Sequence, residues 1–285
     1  MKAAVDSLSD RLISAHRQRR PLVMGIVNVT PDSFSDGGRY DRRELAVAHG
    51  QRLVGQGADI LDIGGESTRP GAGAVSAEEE LERVIPVIEA LSTQVDAPIS
   101  IDTSKPQVMK AAVAAGAIMI NDVNALRADG ALETAAGLGV MVCLMHMQGE
   151  PRTMQDNPRY SDVVADVRQF LADRLDACRS VGIDDPLLSV DPGFGFGKTL
   201  AHNLTLLREL ERFRELGVPV LAGISRKSMI GAITGRDDPD QRLAGSLAAA
   251  VIAALNGAAI IRVHDVAATV DAVKVVHAVS ASAVK

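Results

Sequence analysis

Eight short runs rich in aliphatic and β-branched residues recur along the 285-residue chain, and nearly every one is closed by a polar residue. The runs are Leu22–Val27, Ala58–Ile63, Pro98–Ile101, Ala117–Ile120, Val140–Met145, Leu187–Val190, Val218–Ile224 and Ala258–Val263. After them come Asn28, the stretch Glu66–Arg69, Asp102, Asn121–Asp122, His146, Asp191, the stretch Ser225–Ser228 and His264, with Arg262 inside the last run. Short buried strands alternating with helical stretches specify a parallel sheet with helical crossovers. Eight such units in a chain of this length predict one closed (β/α)8 TIM barrel, a fold of about 250 residues whose chemistry sits where the strands end. Residues 1–20 are expected as an N-terminal helical extension and 21–285 as the barrel.

Composition narrows the partners. Thirty Lys and Arg against 36 Asp and Glu leave a net charge of −6, which argues against nucleic-acid binding, a task that needs a basic face. Cys143 and Cys178 form neither a metal spacing nor a disulfide framework, and read as small core residues in a reducing compartment. No apolar run is long enough to span a membrane. The N-terminus reads as a charged helix, Asp6–Arg20, rather than a signal core. Cytoplasmic residence with no membrane partner is therefore expected.

Between the runs, two irregular stretches stand out as long loops: Val29–Tyr40 and Ser67–Val75. Helices are expected around Arg42–Gly55, from a capping box at Ser76–Glu79 to Thr93, over Lys105–Ala115, Ser161–Val181, Leu204–Leu216, Gln241–Leu255 and Ala267–Val276.

The strand-end residues divide by chemistry. Asp102, Asn121 and Asp191 present acceptors; Arg69, Lys227, Arg262 and His264 present donors or positive charge. Such a rim suits an amphipathic ligand with hydrogen-bond donors at its buried end and an anion at the other. Each residue also has a plain alternative. Asp102 could cap the next helix, Asp191-Pro192-Gly193 and Asn121-Asp122 could be turns, and Lys198 and Arg226 could be solvated loop charges. Recurrence at the same end of so many strands favours a site. His146, between two methionines, reads as structural, whereas alternation puts Arg262 and His264 on one face of their strand, suited to a shared anion pocket. The glycine-rich stretch Gly193–Thr199 fits neither phosphate-loop nor dinucleotide patterns, and is read as presenting Phe196 to a planar ligand. Nothing has structural-metal spacing; a hard ion such as Mg²⁺, held by Asn28 and ligand phosphates, would leave little trace.

Taken together, Met24–Gly38, Asp62–Gly71, Ser100–Thr103, Ile120–Val123, Asp191–Lys198, Ser225–Ser228 and Arg262–Asp265 resemble the motifs of the dihydropteroate synthase family, over roughly residues 22 to 276. The resemblance implies an enzyme of folate biosynthesis, a transferase that condenses p-aminobenzoate with (7,8-dihydropterin-6-yl)methyl diphosphate. It implies a pterin site at Asp102, Asn121, Asp191 and Lys227. It implies a diphosphate site at Asn28, Thr68, Arg69, Arg262 and His264, with Mg²⁺ on Asn28. A p-aminobenzoate site is implied at Phe34, Pro70, Phe196, Lys227 and Ser228, where sulfonamides compete. Asp102, Asn28, Lys227, Arg262 and His264 are the implied catalytic residues, and the family is usually homodimeric. The segment before Pro21 carries no family motif, and Ile224 stands where the family often has a smaller residue. A pterin-dependent methyltransferase module shares the barrel and the pocket but would not need the Ser225–Ser228 stretch or the long first loop, and a non-catalytic paralogue that binds pterins or serves a partner would have no need to keep Asn28, Asp102, Asp191, Lys227, Arg262 and His264 together.

Overall fold

The computed structural model describes residues 1–30, 39–67, 73, 75–150 and 153–282. Among the described residues there are eight strands: β1 (Leu22–Asn28), β2 (Ile60–Gly64), β3 (Ile99–Asp102), β4 (Met119–Asp122), β5 (Met141–Met145), β6 (Leu188–Asp191), β7 (Leu221–Ala222) and β8 (Ile260–Val263). All pair in parallel. β1 to β6 follow chain order, and β8 and β7 extend the sheet on the far side of β1. A parallel bridge between Val190 and Val220 joins β6 to the start of the β7 segment, and the Val190 N–H donates to the Pro219 carbonyl at 3.0 Å. The sheet thereby closes on itself as the expected TIM barrel. β7 is much shorter than the run Val218–Ile224; Pro219, which has no N–H to give to a ladder, accounts for its late start.

Ten helices alternate with the strands among the described residues: α1 (Lys2–Gln18), α2 (Arg39–Gly55), α3 (Ala77–Gln94), α4 (Pro106–Ala114), α5 (Ala131–Leu138), α6 (Val163–Ser180), α7 (Leu200–Arg208), α8 (Ser228–Thr234), α9 (Leu243–Leu255) and α10 (Val266–Ser282). Local capping explains several of their starts. Ser76 Oγ accepts the Glu79 N–H ahead of α3, although the Glu79 carboxylate turns to Arg83 instead of completing a capping box. The Asp162 carboxylate accepts two N–H groups at the head of α6, and Pro106 opens α4 where its missing N–H costs nothing. The helix expected over Leu204–Leu216 is α-helical only to Arg208; Leu210–Leu216 winds as a tighter 3-10 helix.

The N-terminal segment is helical, as expected, and packs on the barrel. Val5, Leu8 and Leu12 of α1 are buried in the main core, and each fully buried aliphatic side chain contributes about 1.5–3 kcal/mol. Ser9 Oγ donates to the Pro186 carbonyl at 2.7 Å, and Arg11 pairs with Asp59. Pro186 and Asp59 lie just before β6 and β2. Thus α1 covers the end of the barrel where strands begin, leaving the other mouth for chemistry. Cys143 and Cys178 are buried and unbonded to each other.

Candidate active site

Register brings the polar strand ends into one row. Asn28 pairs with Gly64, Gly64 with Asp102, Asp102 with Asn121, Asn121 with Cys143, and Cys143 with Ser189. Asp62 lies one inward position deeper on β2. Across the barrel, Arg262 of β8 donates from Nε to Asp62 at 2.6 Å and from Nη2 to Asp102 at 2.8 Å. The Asn121 amide donates to the same Asp62 oxygen at 3.1 Å. Four strands thus meet in one charge-assisted network. Burial raises the Asp102 pKa to about 7; the Arg262 charge works against that rise and Asp62 adds to it. Burial opposes the Arg262 charge too, but Asp62 and Asp102 hold its pKa above the ordinary guanidinium value. Asp102 therefore does not cap α4, whose first turn has no side-chain cap.

Asp191 sits at the end of β6, 6% exposed. Its Oδ1 accepts the Gly193 N–H at 2.7 Å. Burial raises its pKa, opposed chiefly by Lys227 and then by the Gly193 hydrogen bond. Lys227 donates to the Phe194 carbonyl, and its Nζ lies 4.3 Å from the centroid of the Phe196 ring. Burial lowers the Lys227 pKa to about 8, with Asp191 pulling it back up. Phe196 packs on Met145, Met147 and Met154, giving the acceptor Asp191 an apolar wall nearby.

Lys198 is not a solvated loop charge. It is 3% exposed, with Nζ 2.9 Å from His146 Nδ1 and 3.0 Å from the Phe196 carbonyl. His146 is structural, as its sequence context suggests: it anchors Lys198, and its N–H donates to the Asp191 carbonyl at 2.9 Å. A Cβ at Gly193 would stand 1.8 Å from the His146 carbonyl oxygen, and one at Gly197 2.4 Å from that of Gln148. Both glycines have positive φ, so this loop lies against the end of β5 only because side chains are absent there.

At the ends of β7 and β8, Ser225 Oγ lies 3.1 Å from His264 Nδ1 and accepts the His264 N–H at 3.2 Å. Arg226, for which a solvated loop charge was the plain alternative, instead pairs with Asp265 and Asp240. Ser228 is exposed at the start of α8. Asp122 is a turn residue, accepting from Ser104 and from the N–H groups of Asn124 and Leu126. Phe34, Thr68, Arg69 and Pro70 lie outside the described residues.

The model of the pterin binding enzyme family matches residues 24–264. The chain is 54% identical over 258 residues to the dihydropteroate synthase of Escherichia coli K12, covering 90% of this chain and 91% of that protein. The chain belongs to the dihydropteroate synthase family. Solved structures agree. A Xanthomonas albilineans dihydropteroate synthase with 4-aminobenzoic acid is 62% identical with a TM-score of 0.88, covering 93% of this chain and 94% of that one. A Yersinia pestis dihydropteroate synthase in a sulfonamide drug complex is 51% identical, also at 0.88, covering 93% and 96%.

As a dihydropteroate synthase family member, the protein is a transferase built on a TIM barrel, with α1 outside the segment the family model matches. Of the residues the family motifs single out, the fold bonds Arg262 to Asp102 directly, links Asn121 to them through Asp62, and puts Asp191, Lys227 and Phe196 together. Asn28 stands half-buried at the end of β1. Sequence reasoning gave Asp62 no role. Its signal was a carboxylate within an otherwise apolar run, at a position that alternation turns inward. It also missed the bridge of Lys105 to Glu66, 2.6 Å, and to the fully buried Glu80, with the Val75 N–H donating to Glu66 at 3.0 Å. Among the described residues no group of three His, Cys, Asp or Glu side chains could hold a metal, and no helix is long and apolar enough to cross a membrane.

Proposed function

We propose that the protein joins p-aminobenzoate to (7,8-dihydropterin-6-yl)methyl diphosphate, making dihydropteroate and releasing diphosphate in folate biosynthesis in the cytoplasm. The observation that carries this reading is the set of acceptors Asp102, Asn121 and Asp191 at one barrel mouth, with Asp191 nearly closed to water. An aminopyrimidinone edge offers adjacent N–H donors, and a buried carboxylate accepting two of them forms a strong charge-assisted pair. The 4-aminobenzoic acid and sulfonamide named with the two solved relatives support the second substrate and an inhibitor class.

The chemistry follows from charge. In a dissociative substitution the methylene C–O bond breaks first, its electron pair leaving with diphosphate. The p-aminobenzoate nitrogen then bonds to the methylene carbon and loses a proton. Asp102 faces the cationic pterin and stabilises it; a cation there favours the ionised form of a carboxylate whose pKa stands near 7. Arg262, His264 and Asn28, with Thr68 and Arg69, hold the diphosphate. Lys227, Ser228 and Phe196, with Phe34 and Pro70, receive p-aminobenzoate, the Phe196 ring offering a flat face beside the Lys227 ammonium.

The donor set fits Mg²⁺ in one respect: Asn28 contributes a neutral amide oxygen at the strand end, and Mg²⁺ typically takes few protein ligands beside substrate phosphates and water. When bound, Mg²⁺ supplies charge neutralisation on the departing diphosphate. A homodimer is supported by the late helices, where Leu204, Ile233, Leu243 and Ile252 of α7, α8 and α9 expose apolar side chains.

Incubating the protein with the pterin diphosphate, Mg²⁺ and p-aminobenzoate should yield dihydropteroate by mass spectrometry. Absence of product from protein that still binds pterin would overturn the synthase reading.

A further inference from the structure

We infer that Arg226 and Asp265 are a positioning pair that sets Lys227 against Arg262 and His264; the inference rests on the reaction proposed above. The Arg226 guanidinium grips Asp265 with two parallel bonds, Nε to Oδ2 at 3.0 Å and Nη2 to Oδ1 at 2.7 Å, and its Nη1 donates to Asp240. One residue earlier in each segment, Ser225 meets His264. Two consecutive residues after β7 are thus matched to two consecutive residues after β8. Lys227 follows the first pair directly, and Arg262 and His264 precede Asp265.

Two features separate this pair from an ordinary surface bridge. Arg226 holds a φ of 59°, a left-handed conformation uncommon for a residue with a side chain. Its backbone is pinned there from both sides: its N–H donates to Ser246 Oγ at 2.9 Å, and its carbonyl accepts Arg242 Nη1 at 2.8 Å. Asp265 stands immediately before α10, where an Asp ordinarily caps the first turn, yet both carboxylate oxygens are given to Arg226. A bidentate arginine–carboxylate fork fixes angle as well as distance. What it fixes here is the turn from which the Lys227 side chain reaches the Phe194 carbonyl and the Phe196 ring. Asp191 and Asn121 are carried by β6 and β4 rather than by this turn, although Asp191 feels the Lys227 charge.

The test uses Arg226→Gly, Asp265→Asn and the double variant. Glycine adopts positive φ freely and Asn matches Asp in shape, so both variants retain the fold while losing the fork. Kinetics at saturating pterin diphosphate should show kcat lowered roughly 10- to 100-fold, as for a misplaced reacting group. KM for p-aminobenzoate should rise, and pterin affinity by calorimetry should fall by a smaller factor than kcat, because Asp191, Asn121 and Asp102 still hold the pterin when Lys227 moves. The double variant should be no worse than the stronger single one. In proton NMR the Lys227 methylene resonances, shifted by the Phe196 ring, should move toward ordinary lysine values in Arg226→Gly. Wild-type kcat and KM in the variants, multiplicative effects in the double variant, or an unmoved Lys227 signal would each overturn the pair. Wild-type protein that makes no dihydropteroate would instead count against the reaction, and the Lys227 signal would still decide the pair.

Discussion

The Arg262 guanidinium reaches across the barrel to Asp62, 2.6 Å away and fully buried, while also holding Asp102 at 2.8 Å. One cation therefore serves two acids from adjacent strands, and the Asp62 oxygen it meets is shared with the Asn121 amide. Removing Asp62 leaves a half-buried guanidinium half-paired and an amide without its acceptor. Asp62→Ala should destabilise the fold by about 3–5 kcal/mol, as for a broken buried ion pair. Urea unfolding measures it; a loss under about 1 kcal/mol would show that Arg262 is neutralised elsewhere.

Asp191→Asn converts the proposed pterin acceptor into a neutral amide whose nitrogen faces donors. Pterin affinity should fall by about 1.5–3 kcal/mol, the usual contribution of a hydrogen bond to a charged group. Calorimetric titration with a pterin reports this directly, and an unchanged dissociation constant would remove Asp191 from the pocket.

Arg262→Ala should act mainly on turnover. With the cation gone, charge developing on the departing diphosphate loses its partner, and kcat should fall by roughly 100-fold or more. Equal turnover at saturating substrate would place the anion elsewhere on the rim.

Acid stability should depend on His146. Burial, reinforced by the nearby Lys198 charge, lowers its pKa from 6.5 to about 3. The unfolded chain therefore takes up a proton below pH 6.5 that the folded chain refuses until about pH 3, so this contribution is lost as pH falls through that window. Asp102 runs the other way, since its raised pKa gives a contribution lost as pH rises from 3.8 toward 7. Comparing urea midpoints of wild type and His146→Gln isolates the histidine: the variant should lose less stability on acidification. Parallel curves would contradict a buried neutral imidazole.

Lys105 bridges Glu66 and the fully buried Glu80. Lys105→Met strands the Glu80 carboxylate and should cost about 3–5 kcal/mol, whereas adding Glu80→Leu should recover most of it, because an apolar replacement of a buried pair is often neutral. Failure of the second change to restore the urea midpoint would mean that Lys105 acts through Glu66 alone.

The barrel was legible because its strands are buried on both faces, which makes each a compact apolar run. The rim was legible because it falls where those runs end. What escaped depends on partners far along the chain. Asp62 meets Arg262 across 200 residues, Lys198 meets His146 across 52, and Arg226 meets Asp265 across 39. A lysine and an arginine in loops look solvated until folding brings their acceptors to them. The late start of β7 has a signal in Pro219, but its early end at Ala222 has none, since the residues around it are as apolar as in any other strand.

The join between Val190 and Val220 makes the barrel resemble a split collar more than a seamless ring. β7, two residues long, hangs from β8 on one side and touches β6 through that single bridge on the other. The segment bearing Lys227 is therefore attached to the thinnest part of the circumference, directly opposite the acid network on β2 and β3. Parting the collar there would cost very few backbone hydrogen bonds, on the side that carries the cation.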